Sequence, residues 1–198
     1  ARELTRAVRE LHLRGVFVES AKRDLLLGAP QSRPVLATAA ELGVPVFVHP
    51  QTDPELHQRF APIGRNGARL ARCTINSAAL ISLLESGTFD DIPNLKIVVT
   101  TLAMGGILLA GGFGDGQRIR SDAPDLARRH VYVDTMGLHP AVIRTAIDML
   151  GADHVLMGTD WPIFEEQSVP ERLRQAFAFC GLNAAEQQMI TSGNALKL

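Results

Sequence analysis

The chain of 198 residues has a formal net charge of −1, with 20 Lys and Arg against 21 Asp and Glu and no block of like charge, which gives nucleic acid or an anionic membrane no electrostatic hold on it. No apolar run reaches membrane-spanning length and no signal peptide opens the chain, while the two cysteines, Cys73 and Cys180, lie far apart in no metal-ligand spacing and read as reduced thiols of a cytoplasmic protein. A chain this long supports one hydrophobic core, but an eightfold β/α barrel usually needs about 250 residues.

Apolar runs alternate with helical patterns throughout, as expected of repeated β-α units around a parallel sheet. The sequence starts at Ala1 in mid-helical pattern without an initiator Met, so an N-terminal portion is expected to be missing. Leu4, Val8 and Leu11 give a first helix that Gly15 is expected to close, and Val16 to Val18 is the first strand. An irregular loop through Gly28-Ala-Pro30 leads to a helix from Arg33 to Leu42, ended by Gly43, and then to the strand Val44 to Val48, which delivers His49. A short helix at Pro54 to Phe60 and an amphipathic helix from about Gly67 to Glu85 follow. Leu95 to Thr100 is the next strand, and the glycines from Gly105 to Gly116 predict a flexible, lid-like region, with Arg118 and Arg120 just beyond. Val131 to Asp134, a helix from Pro140 to Leu150 capped by Gly151, the strand Val155 to Gly158 and two C-terminal helices complete the pattern. About five strands are visible where a closed barrel needs eight. An open sheet is the competing reading.

The chemistry concentrates at strand ends. Pro45-Val-Phe-Val-His-Pro50 ends in His49, and His154-Val-Leu-Met-Gly-Thr-Asp-Trp-Pro162 ends in Asp160. An imidazole and a carboxylate presented where parallel strands stop suit a borderline divalent cation such as zinc. A carboxylate buried there would have to be paired, protonated or metal-bound. His49 could instead bond a loop carbonyl, and Asp160 could cap a helix. Trp161 either walls a substrate pocket or packs the barrel rim, and His139 either approaches the pocket or caps the helix after it. His130 and His154 precede strands, which assigns them to the opposite, structural end, while His12 and His57 fall within helical patterns.

Several blocks resemble, in order, those of the amidohydrolase-related family typified by aminocarboxymuconate-semialdehyde and resorcylate-type decarboxylases. They are Gly43-Val-Pro-Val-Phe-Val-His-Pro50, Ser86-Gly-Thr-Phe-Asp-Asp-Ile-Pro-Asn-Leu-Lys-Ile-Val-Val99, Val131-Tyr-Val-Asp-Thr135, Leu150-Gly-Ala-Asp-His-Val-Leu-Met-Gly-Thr-Asp-Trp-Pro162 and Gly193-Asn-Ala195. The resemblance implies a distorted (β/α)8 TIM barrel whose N-terminal strands lie before Ala1, with residues 1–198 as the C-terminal majority of that single domain. It implies one divalent metal ion, zinc ahead of manganese, on His49 and Asp160, with the family's first-strand ligand pair having no counterpart here. Thr101 stands where many members carry a proton-transferring histidine, and Asp160, Trp161 and His139 fall at the pocket. The implied activity is non-oxidative decarboxylation of an aromatic or unsaturated carboxylic acid by a homodimer. Hydrolysis or hydration at the same site is the alternative, and a non-catalytic homologue or fragment with a structural or partner-binding role is the alternative of another class.

Overall fold

The computed structural model describes residues 1–100, 103–112, 121–163 and 169–198, with the backbone alone at 111 and 112. In chain order the helices are α1 (Arg2–Leu11), α2 (Arg33–Glu41), α3 (Pro54–Phe60), α4 (Arg65–Glu85), α5 (Thr88–Asp91), α6 (Met104–Gly112), α7 (Ala123–His130), α8 (Pro140–Leu150), α9 (Val169–Phe179), α10 (Ala184–Gln188) and α11 (Asn194–Lys197). The strands are β1 (Val16–Glu19), β2 (Ala21–Lys22), β3 (Leu25–Leu26), β4 (Val46–His49), β5 (Ile97–Val99), β6 (Val131–Asp134) and β7 (Val155–Leu156). Five of them form one sheet in the order β1-β4-β5-β6-β7. Each neighbouring pair is parallel, and Glu19 is in register with His49, Val48 with Val99, and Asp134 with Leu156.

Strand order follows chain order without reversal, so each crossover advances the sheet in one direction and its helix returns on one side. That is the winding of a β/α barrel; a doubly wound sheet reverses and carries helices on both faces. The hydrophobic core lies between this sheet and its helices. Val46, Val48, Ile97, Val99, Val131, Val133 and Val155 pack from the strands against helical Leu36, Leu80, Leu83, Leu84, Ile107 and Ile143. The opposite, concave face is open. Phe17 is 66% exposed and Phe47 is 37% exposed, and a groove of about 1210 Å³ runs past Phe47, Val98, Leu156 and Leu196. In a closed barrel this face is covered by strands of the other half.

Local chemistry departs from sequence expectation at three places. The first helix ends at His12, which takes the left-handed conformation (φ 58°) with its N–H bonded to the Ala7 carbonyl, so Gly15 lies past the cap. The loop before Pro30 contains a small antiparallel pair, β2 with β3. Gly105 and Gly106 belong to helix α6, where the sequence suggested a flexible region. A Cβ on Gly106 would come within 2.9 Å of the Ser77 carbonyl oxygen, so glycine allows α6 to lie close against α4. The remainder of the expected lid, residues 113–120 with Arg118 and Arg120, falls outside the described residues.

The end of the sheet where the strands begin is held by two histidines used alike. His130 Nδ1–H donates to the Leu95 carbonyl at 2.9 Å and its ring stacks on Phe89 at 4.4 Å. His154 Nδ1–H donates to the Val131 carbonyl at 2.8 Å and stacks on Tyr132 at 4.4 Å. Both are structural, as their positions ahead of strands implied. Burial holds the His130 imidazole below its ordinary value, the bond to the Leu95 carbonyl working against this shift.

Two stability predictions follow from this division into a filled layer and an open face. Leu83→Ala, at 0% exposure, should lower unfolding free energy by about 2–5 kcal/mol, while Phe17→Ser should cost no more than about 1 kcal/mol in urea denaturation. The unfolded chain takes up a proton on His130 near the ordinary imidazole value of about 6.5, and the folded chain does so only at lower pH. The unfolded state therefore binds more protons in that window, so this contribution is fully present above pH ~6.5 and lost as pH falls. The urea midpoint should be lower at pH 5 than at pH 7.5, and the gap should narrow in His130→Phe. An unaltered gap would show that another group carries the effect.

Candidate active site at the strand ends

Because the strands are parallel and in register, their carboxyl ends come together at one edge. Glu19 ends β1, His49 ends β4, Thr100 follows β5, Asp134 ends β6, and Asp160 follows β7 by four residues. Short polar ties fix this edge. Ser20, fully buried, donates its N–H to the His49 carbonyl at 2.9 Å and accepts the Gln51 N–H on its hydroxyl at 2.9 Å. Thr135, also fully buried, donates its hydroxyl to the Gly158 carbonyl at 3.0 Å and accepts the Gly158 N–H at 3.1 Å. At the other end of β7, where that strand begins, Asn194 donates its amide to the Ala152 and Val155 carbonyls, each at 2.8 Å. The threonine of Asp134-Thr135 and the asparagine of Gly193-Asn-Ala195 thus fasten the last strand of the sheet.

His49 is partly buried on the concave side, with its ring 5.0 Å from that of Phe17. An Arg72 guanidinium NH2 lies 3.1 Å from His49 Nε2. A guanidinium can only donate, so Nε2 is the acceptor and the ring carries no proton there. Burial holds the His49 imidazole below its ordinary value, and the Arg72 charge adds to this; the negative charges of Glu19 and Asp160 oppose it. Glu19, His49, Arg72 and Asp160 thus form one electrostatic group although they come from four separate stretches of sequence.

Asp160 is exposed at a backbone φ of 55°, a conformation that Asp tolerates better than most residues. The expectation that it is buried after an unbroken strand is therefore corrected. The strand stops at Leu156, and the chain has already turned outward when it reaches the carboxylate. Trp161 is 71% exposed and does not line this groove. His139 is exposed at the residue before α8 and makes no side-chain capping bond there. Thr101 falls outside the described residues. The 1210 Å³ groove reaches Asp134 and Gly158 but is not lined by His49 or Asp160, so it is the uncovered inner face of the sheet and not the strand-end site. Among the described residues, no group of three or more His, Cys, Asp or Glu side chains is placed to hold a metal ion.

Two members of the site have no mention among the sequence candidates above. Glu19 could have been found, since it ends an apolar strand as His49 does. Arg72 carries no such signal, because an arginine on an amphipathic helix ordinarily faces water. Asn76, one turn further along α4, is fully buried and donates its amide to the Thr100 hydroxyl at 3.1 Å.

Parallel β/α units wound in one direction, with polar groups gathered at the carboxyl ends of the strands, place the chain in the β/α-barrel class. The amidohydrolase family model matches residues 1–198, and the chain belongs to that family. It is 25% identical to the 2-amino-3-carboxymuconate-6-semialdehyde decarboxylase of Dictyostelium discoideum, over 98% of this chain and 55% of that protein. It is 27% identical to the gamma-resorcylate decarboxylase of Polaromonas sp. strain JS666, over 100% of this chain and 65% of that one. A 2,6-dihydroxybenzoate decarboxylase solved with 2,6-dihydroxybenzoate superposes with a TM-score of 0.80 at 22% identity, covering 99% of this chain and 65% of its own. A dihydroxybenzoic acid decarboxylase from Polaromonas sp. JS666, solved with manganese and 2-nitroresorcinol, gives a TM-score of 0.78 at 25% identity, covering 99% and 63%. The chain therefore spans between about half and two thirds of the length of these proteins.

Proposed function

We propose that the protein is a metal-dependent decarboxylase that removes CO2 from an aromatic or unsaturated carboxylic acid. The observation that carries this reading is the His49 Nε2 lone pair, already accepting a hydrogen bond, within the electrostatic reach of Asp160 at the carboxyl edge of a barrel sheet. The donor chemistry fits a divalent ion in part. His49 would give a neutral nitrogen and Asp160 a carboxylate oxygen, with further ligands to come from outside the described group, since two protein donors make a weak mononuclear site. Such an ion supplies Lewis acidity and neutralises charge on the acid. Zinc and manganese both accept this donor pair, and the manganese of one solved relative supports the second.

The roles of the chain's own residues follow from their chemistry. Asp160, open to water, offers carboxylate oxygens toward positive charge beside the strand ends. Glu19 adds a second negative charge beside His49. Thr101, at the position of the family's histidine, cannot exchange a proton near neutral pH as imidazole does, so protonation of the product carbon falls to another group. Trp161 and His139, both exposed, belong to the pocket in this reading. A small carboxylic acid is the partner, and the homodimer rests on the family resemblance. The cytoplasmic setting is supported by two free cysteines, and no described helix is long and apolar enough to cross a membrane. The alternative of hydrolysis or hydration draws support from the exposure of Asp160, a carboxylate available to accept a proton from water.

His49→Ala and Asp160→Ala, made in the full-length gene product, should each lower metal content by inductively coupled plasma mass spectrometry and reduce turnover with it. Unchanged metal occupancy in both variants would refute the ligand assignment. CO2 release from 2,6-dihydroxybenzoate by the metal-loaded protein separates decarboxylation from hydrolysis, and a protein that stays metal-free when metal is supplied would favour a non-catalytic homologue.

A further inference from the structure

Arg72 lies in the second turn of α4, the long helix that follows β4, and its side chain reaches the end of that strand. Its partner there is an uncharged nitrogen, His49 Nε2 at 3.1 Å. Among the described residues it has no ion pair, and its Nε–H is buried with no hydrogen-bond partner. The side chain is only partly buried, but its Nε–H is shut away from water with no acceptor, and a charged donor left unpaired out of water loses more than a neutral one. Asn76 is one helical turn away on the same face of α4 and bonds Thr100 at the end of β5, so both residues point from this helix to adjacent strand ends. Asn76 Oδ1 is likewise buried and without a partner. The helix thus brings an unused donor and an unused acceptor to the strand-end site.

The charge balance indicates what would satisfy Arg72. Glu19 and Asp160 act on His49 from this group, but neither forms an ion pair with the guanidinium among the described residues. A planar, two-pronged cation of this kind is matched by a planar carboxylate, which takes two parallel N–H bonds. The Nε2 lone pair that Arg72 holds is also the one a metal ion would need, so arginine and metal compete for it.

We propose that Arg72 is the carboxylate anchor of this site: it rests on His49 Nε2 in the free protein and turns to the carboxylate of an acid ligand once a metal ion takes that nitrogen. This rests on the decarboxylase reading for the kind of ligand but not for the reaction performed on it. Metal and acid then bind with positive coupling, because the metal frees the guanidinium and the acid stops it from returning. Arg72 also sets specificity, because a neutral analogue of the acid leaves its N–H groups unpaired.

The test uses the full-length gene product and measures direct binding of Mn2+ and of 2,6-dihydroxybenzoate by titration calorimetry, with CO2 release measured separately. In Arg72→Met, Mn2+ should bind as tightly as in the parent or up to about tenfold tighter, which also shows that the site is folded, whereas 2,6-dihydroxybenzoate should bind at least about tenfold more weakly. Arg72→Lys should restore part of the acid affinity, and resorcinol, which lacks the carboxylate, should not distinguish parent from variant. Acid affinity unchanged in Arg72→Met overturns the anchor and leaves the decarboxylase reading standing. Carboxylate binding that depends on Arg72 without CO2 release from the parent keeps the anchor and removes the decarboxylase reading. A parent protein that takes up Mn2+ but binds no aromatic acid overturns the anchor as well.

Discussion

A parallel strand can be followed by another only if the chain returns along the outside of the sheet, and that return fixes most of what this protein is. Each helix must lie on the same side, so one face of every strand is buried against helices, and every strand must end at the same edge. Val46 and Val48 meet the helices while Phe47 and His49 alternate onto the concave face, a direct result of the period of two along a strand. Glu19 and His49 become neighbours through register alone, thirty residues apart in sequence. The site is therefore a product of the winding, and residues such as Ser20 and Thr135 are buried there to hold the edge in place.

The electrostatics of that edge are organised around His49. Partial burial favours the neutral ring, and an arginine beside it favours the neutral ring further, while two carboxylates pull the other way. The outcome is an imidazole ready to offer its Nε2 lone pair, the form that binds metal. The arginine that helps create this form also occupies the lone pair. A single contact thus links the availability of a ligand nitrogen to the position of the Arg72 guanidinium.

Much of the fold was legible in the sequence because its signals are local. Apolar runs such as Val131-Tyr-Val and capping residues such as Gly43 and Gly151 mark elements without reference to the rest of the chain. The helix Met104–Gly112 was not legible, because glycine signals flexibility when read locally and close packing only when α4 is known to lie against it. The apolar strand before Asp160 suggests burial, yet exposure depends on where the chain turns after Leu156. Arg72 was invisible for a related reason: a charged residue on an amphipathic helix faces water unless a neighbouring strand end lies within its reach.

Local sequence set the alternation of strands and helices, the placing of His49 at a strand end and of Asp160 in the turn beyond the last strand, and the membership of the amidohydrolase family. Patterns of this kind are set by residues close along the chain, where periodicity and turn chemistry act. Tertiary packing settled that Glu19 lies beside His49, that Arg72 bonds its Nε2, and that Asp160 turns out to solvent. These depend on register, on helix placement and on which surfaces lack a neighbour, and none of those is encoded within a single stretch of sequence.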